Sequence, residues 1–170
     1  MAYTLEQLAT DIRTALKADP SRGGKMQVIR CVSKALTDHE FLAKHLGDDP
    51  KRPDAREILY EDPELKFCIC GHIYPANAIG KPHDHGSSWA IYGQAEGVTE
   101  MTDWKVVEQG EGAKPTLVAP ERTYALKPGD AHFYDVGAIH SPARVGATKL
   151  IRIEGANLDH VKRSNIRAKQ

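Results

Sequence analysis

The sequence lacks an excess of charge of either sign, with 23 Lys and Arg set against 23 Asp and Glu over 170 residues. That balance leaves no electrostatic footprint for nucleic acid or for an acidic membrane surface. No apolar run approaches the ~20 residues that a membrane span requires. Residues 1–16 carry Glu6 and Asp11 and have no apolar h-region, so a secretory signal is not expected. Cysteine is scarce: Cys31, Cys68 and Cys70 fit no disulfide framework, and a reducing, cytoplasmic setting is the expectation. Internal repeats and low-complexity tracts are also missing, which sets repeat architectures aside. What remains has the length and composition of one globular unit with a single core.

Residues 4–18 place Leu5, Leu8, Ile12 and Leu16 on one helical stripe, with Thr4 before it and residues 20–24 (Pro-Ser-Arg-Gly-Gly) ending it. A second helical pattern runs over 25–46 through Val28, Ile29, Val32, Leu36, Phe41, Leu42 and Leu46. Asp38 is placed to divide it by capping a shorter helix from His39. Residues 47–53 form a polar, proline-bounded connector, so the expected division is a helical segment over 1–52 packing on a β domain over 53–170. Beyond Pro53, short apolar runs alternate with Gly, Pro and Asp turns every eight to twelve residues, the mark of a barrel or sandwich. Strands are expected over 57–60, 67–74, 89–95, 99–107, 116–118, 122–126, 132–136 and 149–153.

The chemistry concentrates in Lys81-Pro82-His83-Asp84-His85-Gly86. In an extended strand, positions i and i+2 face the same way, so His83 and His85 would present two imidazoles to one side. Neutral imidazoles suit iron, copper, nickel and zinc. Taken alone, a His-x-His pair is more often an exposed loop feature than a site. His39, His45 and His160 sit in polar helical or terminal surroundings and read as surface residues. His72 and His132 read as core or rim residues, with His132 a competing third donor.

Downstream of the pair stand Trp89, Ala90 and Gly97, then Gly129, Asp135, Gly137, His140 and Arg144. Over about residues 55–157 this pattern resembles the cupins. His83, His85 and Gly97 take their places in the first cupin motif, with Gly80 slightly late. Gly129, Gly137 and His140 keep the spacing of the second, with Asp135 where Pro is usual and Arg144 where Asn is usual. The resemblance implies a mainly β cupin double-stranded β-helix (jelly-roll barrel) preceded by two N-terminal α-helices. It also implies a divalent metal held by His83, His85 and His140.

Where cupins carry a Glu ligand this chain has Ala90, which leaves three histidines and no carboxylate. In that respect, and in residues 82–86 and 151–158, the chain resembles the cysteine-dioxygenase-like group. That likeness implies iron(II), with zinc, nickel or manganese as alternatives, together with O2 and a small thiol, dicarbonyl or organic acid as substrate. The Ser-His-Tyr set of thiol dioxygenases is replaced by Leu150, Arg152 and Glu154. Three neutral ligands leave a dipositive ion uncompensated, which favours an anionic, bidentate substrate. Arg152, if inward, offers a fork for a substrate carboxylate, and Tyr92, on the parity of Ala90 and Gln94, offers a hydroxyl to the same cavity. These two are the candidate catalytic residues.

Other readings stay open at this point. Zinc on the same histidines would support hydrolysis or hydration with Glu96 or Glu154 as base, and a cupin that only binds a metal or small molecule needs no base at all. Cys68 and Cys70 share a strand face with His72, a zinc-like donor set that is more simply a packed core. Barrel edges make a homodimer possible, and neither nucleic acid nor membrane is expected as a partner.

Overall fold

The computed structural model describes residues 3–48 and 55–170. Most of the 47–53 connector, and with it the expected boundary between residues 52 and 53, lies outside the described residues. Helix α1 spans Leu5–Ala18 and starts in a reciprocal capping box. Gln7 N–H donates to Thr4 Oγ1 at 3.1 Å, and Thr4 N–H donates to Gln7 Oε1 at 2.9 Å. Helix α2 spans Arg22–Leu36 behind the Ser21 cap. A third helix, α3 (His39–Leu46), follows where Asp38 was placed to cap a shorter helix, so the segment holds three helices rather than two. Thr37 Oγ1 turns back to Lys34 O at 2.9 Å, and Asp38 accepts Phe41 N–H at 3.0 Å and Tyr3 N–H at 2.6 Å. The long apolar pattern is therefore cut at Thr37-Asp38 by side chains that satisfy the exposed helix ends.

Ten strands follow among the described residues: β1 (Arg56–Glu61), β2 (Cys68–Tyr74), β3 (Ala78–Ile79), β4 (Ala90–Glu96), β5 (Thr99–Glu108), β6 (Thr116–Leu126), β7 (Ala131–Tyr134), β8 (Ile139–Arg144), β9 (Thr148–Glu154) and β10 (Ile166–Ala168). They form two five-stranded sheets, ordered β1-β2-β9-β4-β7 and β10-β6-β5-β8-β3. Ala90, Tyr92, Tyr134 and Leu150 from the first sheet share one apolar cluster with Met101 and Leu126 from the second. The sheets thus pack face to face as a double-stranded β-helix, with the interior between them.

The first sheet is covered on both faces. Ile69, Ile91, Ile151 and Ile153 point away from the barrel and pack with Leu8, Ile12, Val28 and Val32 of α1 and α2. This is why β2, β4 and β9 are buried at nearly every position and show little alternation. Gly93 lets α2 come close: a Cβ there would lie 2.5 Å from Val32 Cγ1.

The strand predictions differ from the structure in three places. Residues 116–118 and 122–126 belong to one strand, because the register of β5 shifts between Asp103 and Trp104, leaving Glu121 as an extra residue beside Pro120. Strand β8 was not expected, because Pro142 lies inside it. The short strands β3 and β10 also escaped notice, β10 running parallel to β6 near the chain end.

Candidate metal centre

Strand β8 brings His140 inside the barrel, where it is fully buried. His83 meets it through a β-bridge: His83 N–H donates to His140 O and His140 N–H to His83 O, each at 3.0 Å. This bridge corrects the expectation of strand parity, since residues 84–89 are not strand. His85 converges through a turn instead, with Ser88 N–H donating to His85 O at 3.0 Å. Between the two histidines, buried Asp84 accepts Gly86 N–H and Ser164 N–H at 3.1 Å each, and Ser164 Oγ donates to it at 2.5 Å. The loop is thereby tied to the C-terminal tail that crosses it.

The three rings lie 4.7–5.5 Å apart by centroid, and their candidate ligand atoms all fall within 4.8 Å of one another. Among the described residues this is the one group of three or more His, Cys, Asp or Glu side chains so arranged. The tautomers follow from the partners. His83 Nδ1 lies 2.8 Å from Lys81 O and His140 Nδ1 lies 3.3 Å from Ala138 O, so both Nδ1 atoms carry hydrogen and both Nε2 atoms present a lone pair. Burial lowers His83 to about 4 and both His85 and His140 to about 2, so all three are neutral near pH 7. Neutral, converging imidazoles with backbone-fixed tautomers fit a divalent metal ion.

Around them, Tyr134 stacks on His140 with centroids 4.0 Å apart. The Tyr92 hydroxyl lies 3.0 Å from His85 Nε2 and 3.3 Å from His140 Nε2. Arg152 points inward: its Nη1 donates to Tyr92 Oη at 3.2 Å, and its Nε donates to Glu154 Oε1 at 2.9 Å. Glu154, wholly buried, also accepts from Arg56 at 2.7 and 3.0 Å. Burial raises the Glu154 carboxyl, but hydrogen bonds from Arg56 and the charge of Arg152 outweigh it and hold the group below the usual range. Ala90 is buried in the barrel interior and supplies no ligand atom.

The remaining candidates lie elsewhere. His132 packs against Tyr124 and Tyr134 rather than joining the cluster. His72 Nδ1 bonds Tyr74 Oη at 2.8 Å. Cys68 and Cys70 are fully buried, and burial pushes their thiols up to about 11 and about 12, as expected of core cysteines rather than metal thiolates. Glu96 is exposed and pairs with Lys149 at 3.4 Å. Sequence reasoning overlooked Asp84 and Tyr134. The loop character of residues 84–89 could have flagged Asp84 as a turn anchor; nothing local marks Tyr134.

A cavity of about 320 Å³ opens beside the centre, lined in part by His83, Tyr92, Tyr74, Arg144, Arg152 and Arg163. Among the described residues, no helix is long and apolar enough to cross a membrane.

No protein-family model matches the chain, and no curated protein matches its sequence. Solved structures of similar shape include a cupin superfamily protein from Desulfitobacterium hafniense, 12% identical over 66% of this chain and 87% of that one, with a TM-score of 0.48. A protein with a double-stranded β-helix domain from Klebsiella pneumoniae is 13% identical over 74% of this chain and 88% of that one, also at 0.48. The DMSP lyase of Ruegeria pomeroyi is 17% identical over 64% of this chain, at 0.47, and the match spans 49% of the lyase. Similarity at this level carries no information about activity.

Proposed function

We propose that this chain is a metal-dependent enzyme of the cupin type, an iron(II) dioxygenase acting on a small organic acid, thiol or dicarbonyl. The observation that carries the reading is the convergence of the three neutral imidazoles of His83, His85 and His140, with no carboxylate among them. When bound there, iron(II) would supply a redox-active Lewis acid with open positions for dioxygen and an anionic substrate.

The protein's own part is positioning. The His83–His140 bridge and the carbonyls of Lys81 and Ala138 hold two rings in fixed tautomers. Arg152 donates to the Tyr92 oxygen, so the phenolic hydrogen points toward His85 or His140. Once those imidazole lone pairs are engaged, that O–H is left to turn toward a molecule in the cavity, as a hydrogen-bond or proton donor. Tyr134, Leu150 and Met101 wall off bulk water.

Zinc-type hydrolysis is less well supported, since it needs a free carboxylate as base. Glu154 is committed to Arg56 and Arg152, and Glu96 faces solvent. Thiol oxidation through the Ser-His-Tyr route lacks its residues, although Tyr92 brings a phenol to the same centre from β4. The test is oxygen uptake by anaerobically iron-loaded protein across small carboxylates, β-dicarbonyls and thiols. Substrate-dependent uptake lost in His140→Ala supports the reading. No uptake across the panel by protein that holds iron refutes it and leaves a binding protein.

A further inference from the structure

The cavity beside the three histidines is cationic, and its cations are not equivalent. Arg152 is already paired: its Nε and Nη2 donate to Glu154 and its Nη1 to Tyr92. Lys81 and Arg163 are exposed, Arg163 on the tail held by Asp84. Arg144 is different. It is 4% exposed, lies over the Tyr74 ring at 4.0 Å, and has no hydrogen-bond or ion-pair partner among the described residues, its Nε included. Among the described residues, no acidic side chain lines the cavity. A buried guanidinium without a counter-charge is expensive to keep, and a fold retains such a group where a ligand completes it.

Arg144 also shares a strand face with the centre. His140 and Arg144 stand four residues apart on β8, so both side chains enter the barrel, about 13 Å apart at the backbone by the usual strand rise. His83 and Tyr92 line the same cavity. A volume of about 320 Å³ is at the small end for a ligand site.

We infer that Arg144, not Arg152, is the specificity-determining anion anchor of this cavity, and that its ligand is a small carboxylate whose charged end lies on the Arg144 guanidinium. The inference deepens the proposed function and rests on that reading only for which end of the ligand reacts. The planar fork of Arg144 matches a carboxylate in two parallel hydrogen bonds, whereas Arg152 serves as a positioning residue for Tyr92.

The experiment is calorimetric titration of metal-free protein with acetate, malonate and succinate, with uncharged malonamide as control. Omitting the metal keeps the probes from simply ligating it. Iron uptake is measured separately on the same proteins. The wild type should bind at least one of the three carboxylates and not the diamide. Arg144→Gln should weaken that binding about ten- to hundredfold, and Arg144→Lys, which keeps the charge without the fork, should fall between. Arg152→Lys should retain most of it. Should Arg144→Gln fail to fold, Arg144→Lys and Arg152→Lys decide between the two arginines: weakening in the first alone sustains the anchor, and equal or greater weakening in the second overturns it. Equal binding of diamide and carboxylates, no binding of any carboxylate, or wild-type affinity in a folded Arg144→Gln overturns the anchor. Failure of the anchor with normal iron uptake leaves the proposed centre standing. Carboxylate binding that depends on Arg144 in a protein that takes up no iron sustains the anchor and removes the oxygenase reading.

Discussion

Replacing Glu154 by alanine should be among the most damaging single changes in the molecule outside the apolar core. Glu154 is fully buried and accepts hydrogen bonds from Arg56 at 2.7 and 3.0 Å and from Arg152 at 2.9 Å. Its removal leaves the Arg152 guanidinium, its side chain 8% exposed, without a counter-charge, and Arg56, 21% exposed, with only the exposed Asp159 at 3.1 Å. Breaking a buried ion pair by deleting one partner costs about 3–5 kcal/mol. In a chain of this size each kcal/mol lowers Tm by about 2–4 °C, so a fall of roughly 6–20 °C is expected. Urea unfolding followed by circular dichroism at pH 7 measures it, with an unchanged denaturant slope showing that stability alone has moved. The triple replacement Arg56→Met, Arg152→Met, Glu154→Leu should recover most of the loss, since the cost lies in the orphaned charges rather than in the missing pair. A Glu154→Ala protein within about 1 kcal/mol of the wild type would refute the reasoning, being no larger than a surface pair is worth.

Three further outcomes are expected. Burial raises both Glu154 and Asp62, but in each case hydrogen bonds and a guanidinium (Arg56 and Arg152 for Glu154, Arg13 for Asp62) outweigh burial and set the folded value below the unfolded one. Their stabilisation is complete above the unfolded values of about 4 and is lost as pH falls through the lower folded ones. Urea midpoints should therefore drop below about pH 4, less steeply in Asp62→Asn and Glu154→Gln; an unchanged slope contradicts this. Asp84→Ala should free the tail at Ser164, and trypsin should then cut after Lys162 or Arg163 about tenfold faster or more, as low-stability segments do; wild-type resistance would show that the tail is held elsewhere. Tyr92→Phe should keep iron on the three histidines yet lose about a hundredfold or more of any oxygen uptake, the scale of a lost proton donor; full activity would make Tyr92 a packing residue.

The fold class and the three histidines were legible because both rest on local signals. Glycine turns, short apolar runs and the fixed spacing from Gly129 to His140 survive in one dimension. The helix break was legible in part: Asp38 marks the cap, but the bonds that fix it join side chains to backbone, one of them across to Tyr3. Strand β8 was hidden by Pro142, and the continuity of β6 by Pro120, whose position is absorbed by a bulge. Arg152 was foreseen as inward or outward with equal reason, and only the register of β9 between β2 and β4 places it beside Tyr92. Arg144 was visible only as a departure from the usual Asn. Its meaning needed the finding that no acid among the described residues reaches it, which no spacing encodes.

The three histidines form a working centre only if they hold a metal. Protein purified without a histidine tag, then loaded anaerobically with iron(II) and desalted, should retain close to one ion per chain by mass spectrometry. A His83→Ala, His140→Ala variant of the same fold should retain almost none. Equal retention by both, or none by either, would contradict a centre built on His83, His85 and His140.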